Sequence, residues 1–331
     1  PKNTIQEGTI FFDEKNLLTI SNKEFQQIRG NKIAMIFQEP MSSLNPTLTC
    51  GSQVAEVLKQ HTDLNKKEIY QEVISLFQKV KLPLPDRIFN SYPHQISGGQ
   101  KQRVMIAIAI ACKPDLLIAD EPTTALDVTV QKEIILLLKE LQKENKMSIL
   151  LISHDLSLVS EIADDVIILF KGKIVEKGNT TDIFHSPQHD YTKGLINSKP
   201  NLNQRLKKLP TVEDFIKNRI FTDVYSKKER DAYHSKIYGL KPLLEIVDVK
   251  KYFNTSDGFT KKPLIKAVDK ISFKLYEGET LGLVGESGCG KTTLGRSIMQ
   301  LEKVTSGKIF YKGKDITCLL YTSDAADDLL C

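Results

Sequence analysis

The stretch Gly285-Glu286-Ser287-Gly288-Cys289-Gly290-Lys291-Thr292, followed by Thr293, has the glycine and lysine spacing of a phosphate-binding loop. Small residues there let successive backbone N–H groups and a helix N-terminus approach phosphate oxygens that bulkier side chains would hold away. Lys291 would neutralise the β and γ phosphates, and the Thr292 hydroxyl would reach a magnesium ion. A second group of candidates lies in Asp115-Leu116-Leu117-Ile118-Ala119-Asp120-Glu121-Pro122, an apolar run ending in two carboxylates. Asp120 would meet the water shell of a metal, and Glu121 would polarise an attacking water as a general base. Finally, Ile96-Ser97-Gly98-Gly99-Gln100 precedes a helical run and offers a hydroxyl, free N–H groups and a positive dipole end to a second anion; the plainer reading of Ser97 is an N-cap.

These groups need elements to hold them. The loop at 285–292 follows an apolar strand pattern at 280–284 and precedes a helix-compatible run. Earlier strand patterns fall at 32–37, 116–119, 148–152 and 166–170, the last turning through Lys171-Gly172-Lys173 into Ile174-Val175. The polar region 50–90 reads as helical with a break at Pro83 and Pro85, and a helix is predicted over 99–111. Val130, Ile134, Leu137, Leu138 and Leu141 mark one face of an amphipathic helix. Strands alternating with helices argue for a mainly parallel sheet covered on both faces. Further strands are predicted at 244–249 and 271–275.

One internal repeat organises the chain. Gly8-Thr9-Ile10-Phe11-Phe12-Asp13-Glu14-Lys15-Asn16-Leu17 reads like Gly307-Lys308-Ile309-Phe310-Tyr311-Lys312-Gly313-Lys314-Asp315-Ile316, an offset of 299 residues from Gly8 to Gly307. The length of 331 residues accommodates two domains or one large one. Hydrophobic residues at 40% and charged residues at 26% exclude disordered and fibrous classes. The longest uncharged apolar run, 104–112, is far below the roughly 20 residues that span a bilayer. The net charge of +5 is concentrated at 200–241, which reads as a solvated linker rather than a nucleic-acid face. Cys50, Cys112, Cys289, Cys318 and Cys331 are odd in number without CxxC spacing, the expected pattern of reduced cytoplasmic thiols. The opening Pro1-Lys2-Asn3-Thr4 has no targeting pattern and is expected to lie inside a longer gene product, and 318–331 is expected to be a non-native tail.

In chain order, these motifs resemble the nucleotide-binding subunits of ABC transporters. Ser97, Gly98, Gly99 and Gln100 look like the signature motif, and Asp120 and Glu121 like the Walker B segment. Gln38 resembles the Q-loop, Asp127 in Ala125-Leu126-Asp127 the D-loop, and His154 the switch histidine. Phe253, or its neighbour Tyr252, is placed like the aromatic that stacks on adenine. The segments at 37–46, 92–100, 122–131 and 186–195 resemble the oligopeptide/dipeptide/nickel branch. Some members of that branch hold an iron–sulfur cluster in the extension; with no Cys between Cys112 and Cys289, none is implied here.

The resemblance implies an α/β fold, a P-loop NTPase ABC cassette with a RecA-like core and helical and antiparallel β subdomains, in two tandem copies, both incomplete. The first would occupy 1–198 with a C-terminal extension, a basic linker 199–241, the second copy 242–317, and the tail 318–331. ATP and Mg2+ are the implied ligands: residues 285–293 with Phe253 or Tyr252 would bind nucleotide, Glu121, His154 and Gln38 would be catalytic, and Asp120, Gln38 and Thr292 would surround magnesium held through ATP. Implied partners are integral membrane permease subunits docking near Gln38, an extracytoplasmic substrate-binding protein acting indirectly, and a second ABC cassette in the same chain or a homologous subunit. No nucleic acid is expected. The location would be peripheral, on the cytoplasmic face of the bacterial inner membrane. The function so implied is ATP hydrolysis energising uptake of peptides or nickel. The alternatives are a soluble twin-cassette ATPase acting on ribosomes and a nucleotide sensor without turnover. By the repeat register, the first copy's phosphate loop would lie 22 residues upstream of Gly8, as Gly285 lies upstream of Gly307, so the 331-residue chain is expected to bind ATP weakly without turning it over.

Overall fold

A computed structural model describes residues 7–38, 43–124, 126–198, 205–217, 219, 223–253, 264–286 and 288–317. Ser287 of the loop, Ala125, residues 39–42 and the expected tail at 318–331 lie outside the described residues. The chain forms two compact units, Pro1–Ile196 and Asn197–Cys331.

The first unit opens with a hairpin, β1 (Phe11–Phe12) and β2 (Lys15–Asn16), and a short helix α1 (Asn22–Ile28). Strand β3 (Ile33–Ile36) then leads to a helical group, α2 (Cys50–His61), α3 (Lys66–Lys79) and α4 (Pro85–Phe89), with the break where Pro83 and Pro85 fall. Helix α5 (Gly98–Ile110) starts one residue earlier than its sequence pattern suggests because Ser97 caps it: the Ser97 hydroxyl accepts the Gln100 N–H while Gln100 accepts the Ser97 N–H. Strand β4 (Leu116–Asp120), helix α6 (Val128–Asn145), strand β5 (Ser148–Ile152) and helix α7 (Leu156–Ile162) follow. Strands β3, β4 and β5 form a parallel sheet in that order. Its buried side presents Ala34, Ile36, Leu117 and Ala119 to α5 and to the α6 face Ile134, Leu137, Leu138 and Leu141, whose spacing is helical. Each leucine and isoleucine among them contributes about 1.5–3 kcal/mol by burial. Within this core Arg103 donates to Val80 O and pairs with Glu133 at 2.6 Å, so its burial leaves no uncompensated charge.

An antiparallel ribbon, β6 (Asp165–Phe170) with β7 (Lys173–Asn179), turns at Lys171 and Gly172 as expected but runs four residues beyond Val175. Helices α8 (Thr180–His185) and α9 (Asp190–Asn197) complete the unit. The carboxylate of Glu176 accepts the N–H groups of Gln188 and His189, fixing the turn that leads into α9.

In the second unit, the stretch read as a linker carries helices α10 (Val212–Ile216) and α11 (Lys227–Tyr238). Tyr233 of α11 donates to Gly278 O and Tyr238 bonds Glu279, so α11 packs on the turn after the next strands. Strands β8 (Leu244–Phe253) and β9 (Ile265–Leu275) pair antiparallel, both longer than their patterns. Helix α12 (Lys291–Ile298) buries Leu294 against Ile246, Val249, Val268 and Ile309. The last described elements of the unit are the hairpin strands β10 (Ser306–Tyr311) and β11 (Lys314–Asp315). The strand expected at 280–284 does not form: these residues have no sheet partner among the described residues, and Val284 is 91% exposed. A parallel strand exists only through hydrogen bonds to neighbours, which apolar composition alone does not provide.

The two hairpins of the repeat are built alike. Phe11 pairs with Asn16 and Phe12 with Lys15; 299 residues on, Phe310 pairs with Asp315 and Tyr311 with Lys314. Asp13 and Glu14 have φ of 48° and 62°, and Lys312 and Gly313 have 48° and 78°, the pair of left-handed residues that a two-residue type I′ turn requires. Leu17 N donates to Ile10 O, as Ile316 N does to Ile309 O.

Candidate functional site

Three neighbouring parallel strands deliver three polar side chains at their C-terminal ends, the edge where open α/β sheets bind ligands. Gln38 lies two residues beyond β3, Glu121 one beyond β4 and His154 two beyond β5. The register pairs Asp120 with Ile152, and Glu121 N–H donates to Ile152 O at 2.9 Å. That bond holds Glu121 at φ 45°, a left-handed conformation a glutamate adopts only when its surroundings impose it.

The Glu121 carboxylate is the hub. Gln38 Nε2 donates to Oε2 at 2.9 Å, the Thr124 hydroxyl donates to the same oxygen at 2.8 Å, and His154 Nδ1 lies 2.7 Å from Oε1. These bonds, with that from His154 foremost and that from Thr124 next, hold its carboxyl below the ordinary glutamate range. An ionised carboxylate only accepts, so His154 Nδ1 carries a proton and donates it to Oε1. The side chain of His154 is 77% exposed and that of Glu121 19%. Thr124 was not singled out from the sequence; its one signal is a hydroxyl three residues after Glu121, the spacing at which a turn folds back on itself.

The first turn of α5 places Gly99 where a Cβ would come within 3.1 Å of Val130 Cγ1, so the glycine permits close approach to α6. Asp127 accepts the Val130 N–H and thereby caps α6. Asp120 is half-buried at the end of β4.

In the second unit, the phosphate-loop residues run into α12 through Gly288 and Gly290, both left-handed at φ 80° and 100°. A Cβ on Gly290 would stand 1.9 Å from Ala267 O, so only glycine fits. A Cβ on Gly285 would meet Cys289 Sγ at 2.7 Å, close to Lys291 Nζ. Lys291 Nζ donates to the carbonyls of Gly285 and Glu286, both at 2.6 Å, which keeps its charge over the loop. The N-cap Gly290 supplies no side-chain acceptor to the first N–H groups of α12, where Thr292 and Thr293 stand. At the end of β8, Tyr252 bonds Asp269 through its hydroxyl, whereas Phe253 is partly exposed with Lys251 Nζ 4.9 Å from its ring centre. Such a loop fits a polyphosphate: it is a glycine-formed cradle, with N–H donors and one cation. Among the described residues no three His, Cys, Asp or Glu side chains gather as a metal cage, and no helix is long and apolar enough to cross a membrane.

The family described as ABC transporter matches residues 2–124 and 268–327, and that described as oligopeptide/dipeptide transporter, C-terminal region, matches 175–218. The glutathione import ATP-binding protein GsiA of Shigella boydii serotype 4 is 42% identical over 90% of this chain and 48% of its own length. GsiA of Escherichia coli K12 is 41% identical over 89% of this chain and 47% of its own. This chain thus spans about half the length of the curated relatives it matches. A solved bacterial ABC transporter cassette, MJ0796, is 30% identical with a TM-score of 0.48, covering 53% of this chain and 74% of that one.

Proposed function

Since the chain belongs to the ABC transporter family, whose fold is the ABC cassette, we propose that it is part of an ATPase energising import of small peptides, in a protein that holds two cassettes. The convergence of Gln38, Glu121 and His154 from three strand ends carries this reading. The match at 175–218 and the relatives named for glutathione import favour a peptide importer over a ribosome-acting ATPase. The common register and turn of the two hairpins support two copies of one domain, divided as the sequence suggests at about 198 and 241. Permease subunits, an external binding protein and a peripheral location on the inner membrane follow from that role.

In this reading residues 285–293 cradle the phosphates, Lys291 neutralises them, and Phe253, whose ring is partly exposed, stacks on adenine. When bound, ATP with its magnesium supplies the phosphoryl group for transfer to water. Asp120 and Gln38 in one copy and Thr292 in the other present oxygen atoms, the donor type a magnesium ion takes, each toward its own copy's nucleotide. Glu121, kept ionised, orients the attacking water as an acceptor rather than removing its proton early, which suits a loose phosphoryl-transfer transition state. His154 holds Glu121 through Nδ1, while Ser97 and the N–H groups of Gly98 and Gly99 stabilise transferred charge from the other cassette. Asp127 couples α6 to that interface. Each composite site needs groups from both cassettes, and Lys291 and Glu121 belong to different copies of the domain. Steady-state phosphate release from the 331-residue chain is therefore expected to be at least about a hundredfold below that of a two-cassette protein; equal rates would refute the proposal.

A further inference from the structure

The charged segment of the second unit forms a cavity that nucleotide hydrolysis does not use. A short antiparallel bridge joins Leu206 to Val224, with Lys207 N donating to Asp223 O and Tyr225 N to Arg205 O. Lys207 ties this bridge to α11 through Glu229 at 3.0 Å. Between them lies a cavity of about 470 Å³ walled by Arg205, Tyr225, Lys227, Arg230, Asp231 and His234. Lys227, Arg230 and His234 follow one face of α11 at helical spacing.

The charges do not cancel. Elsewhere in the segment Glu213 pairs with Lys217, Asp214 with Arg219 and Glu229 with Lys207. Arg205, Lys227 and Arg230 have no ion-pair partner among the described residues, and Asp231 is the one acid on the wall. Three fixed cations against one carboxylate leave two positive charges on the cavity wall. Two guanidinium forks are suited to bidentate contact with phosphate oxygens. The Tyr225 ring already carries Arg205 at 5.6 Å and Lys207 at 5.7 Å, so it is not free to stack on a nucleobase. We propose that this cavity binds a dianionic phosphate group, from a soluble phosphomonoester or an anionic lipid headgroup, at a site separate from the phosphate loop.

The test uses the full chain carrying Lys291→Ala, so that the phosphate loop contributes nothing. Inorganic phosphate is titrated while the amide resonances of α11 are followed. Saturable shifts at Lys227 and Arg230 are expected. The double change Arg205→Gln, Arg230→Gln should weaken binding about tenfold or more, and Asp231→Asn should strengthen it about two- to threefold by removing the opposing charge. These residues are exposed, and circular dichroism of each variant checks that α11 persists. A parallel arm measures sedimentation with phosphatidylcholine vesicles containing about one-third phosphatidic acid. Capture by these but not by plain phosphatidylcholine, lost in the double variant, identifies a lipid headgroup; phosphate shifts without vesicle capture identify a soluble ligand. Absence of saturable shifts, or equal binding by the double and Asp231→Asn variants, overturns the proposal and leaves the nucleotide site untouched.

Discussion

At the scale of single residues, the arrangement turns on the Glu121 carboxylate, whose Oε2 takes two donors, Gln38 and Thr124. Removing the Thr124 hydroxyl leaves that oxygen to Gln38 alone and frees the carboxylate to rotate. Thr124→Val in a two-cassette protein is expected to lower kcat about 3- to 10-fold with little change in KM, and Thr124→Ser to restore it. A KM effect without loss of kcat would show that Thr124 serves nucleotide binding instead. The pH dependence has a definite sign. Because its hydrogen bonds lower the folded-state pKa of Glu121, the ionised network contributes fully above the ordinary glutamate range and is lost as pH falls below it. The Cys50 thiol is a different case: burial pushes it up to about 11, so it packs as an apolar group and is inert at neutral pH.

At the scale of elements, helix α11 depends on its cap. Ser226 and Glu229 form a capping box, and backbone and side-chain bonds from Ser226, with the Lys207 ammonium, bring Glu229 down to about 2. A depressed carboxylate stabilises the helix above its unfolded pKa and loses that contribution as pH falls toward 2. Helicity of α11, followed by its amide exchange, should therefore fall between about pH 4.5 and 2, and Glu229→Gln should flatten that transition while lowering protection at pH 7. Protection that is independent of pH over this interval would contradict the capping role. This helix was not legible as structure, because its face is charged and carries little apolar period; the signal present was Ser226 followed three residues later by Glu229, with Tyr233 and Tyr238 available to dock. By contrast, α6 was readable because burial of one face imposes a period of 3.6 on its residues, and β3 to β5 because they are short continuous apolar runs. The strand expected at 280–284 illustrates the limit: its composition suits a sheet, but pairing depends on partners that composition does not contain. At the site, Gln38, Glu121 and His154 were each legible from motif context, whereas the Thr124 bond and the left-handed φ of Glu121 follow from tertiary geometry.

At the scale of the whole molecule, the parallel sheet of the first unit is covered on one side only among the described residues. Met35, Leu150 and Ile152 are 37%, 50% and 45% exposed, while Ile36, Leu117 and Ala119 behind them are fully buried. Parallel sheets are stable with both faces covered, and in the proposed two-cassette protein a helix equivalent to α12 would cover this face. The 331-residue chain should accordingly bind an apolar fluorescent dye strongly, and Leu150→Lys with Ile152→Lys should cut that signal to about half or less. Dye binding that ignores both changes would place the exposed apolar surface elsewhere.

The most direct test is single-turnover phosphate release by the two-cassette protein carrying Glu121→Gln. Glutamine keeps the size of the side chain while removing the charge that gathers Gln38, Thr124 and His154. Release is expected to fall by a factor of about 10² or more while ATP stays bound. Release at the wild-type rate would mean that the convergence on Glu121 is structural and that hydrolysis is organised by other residues.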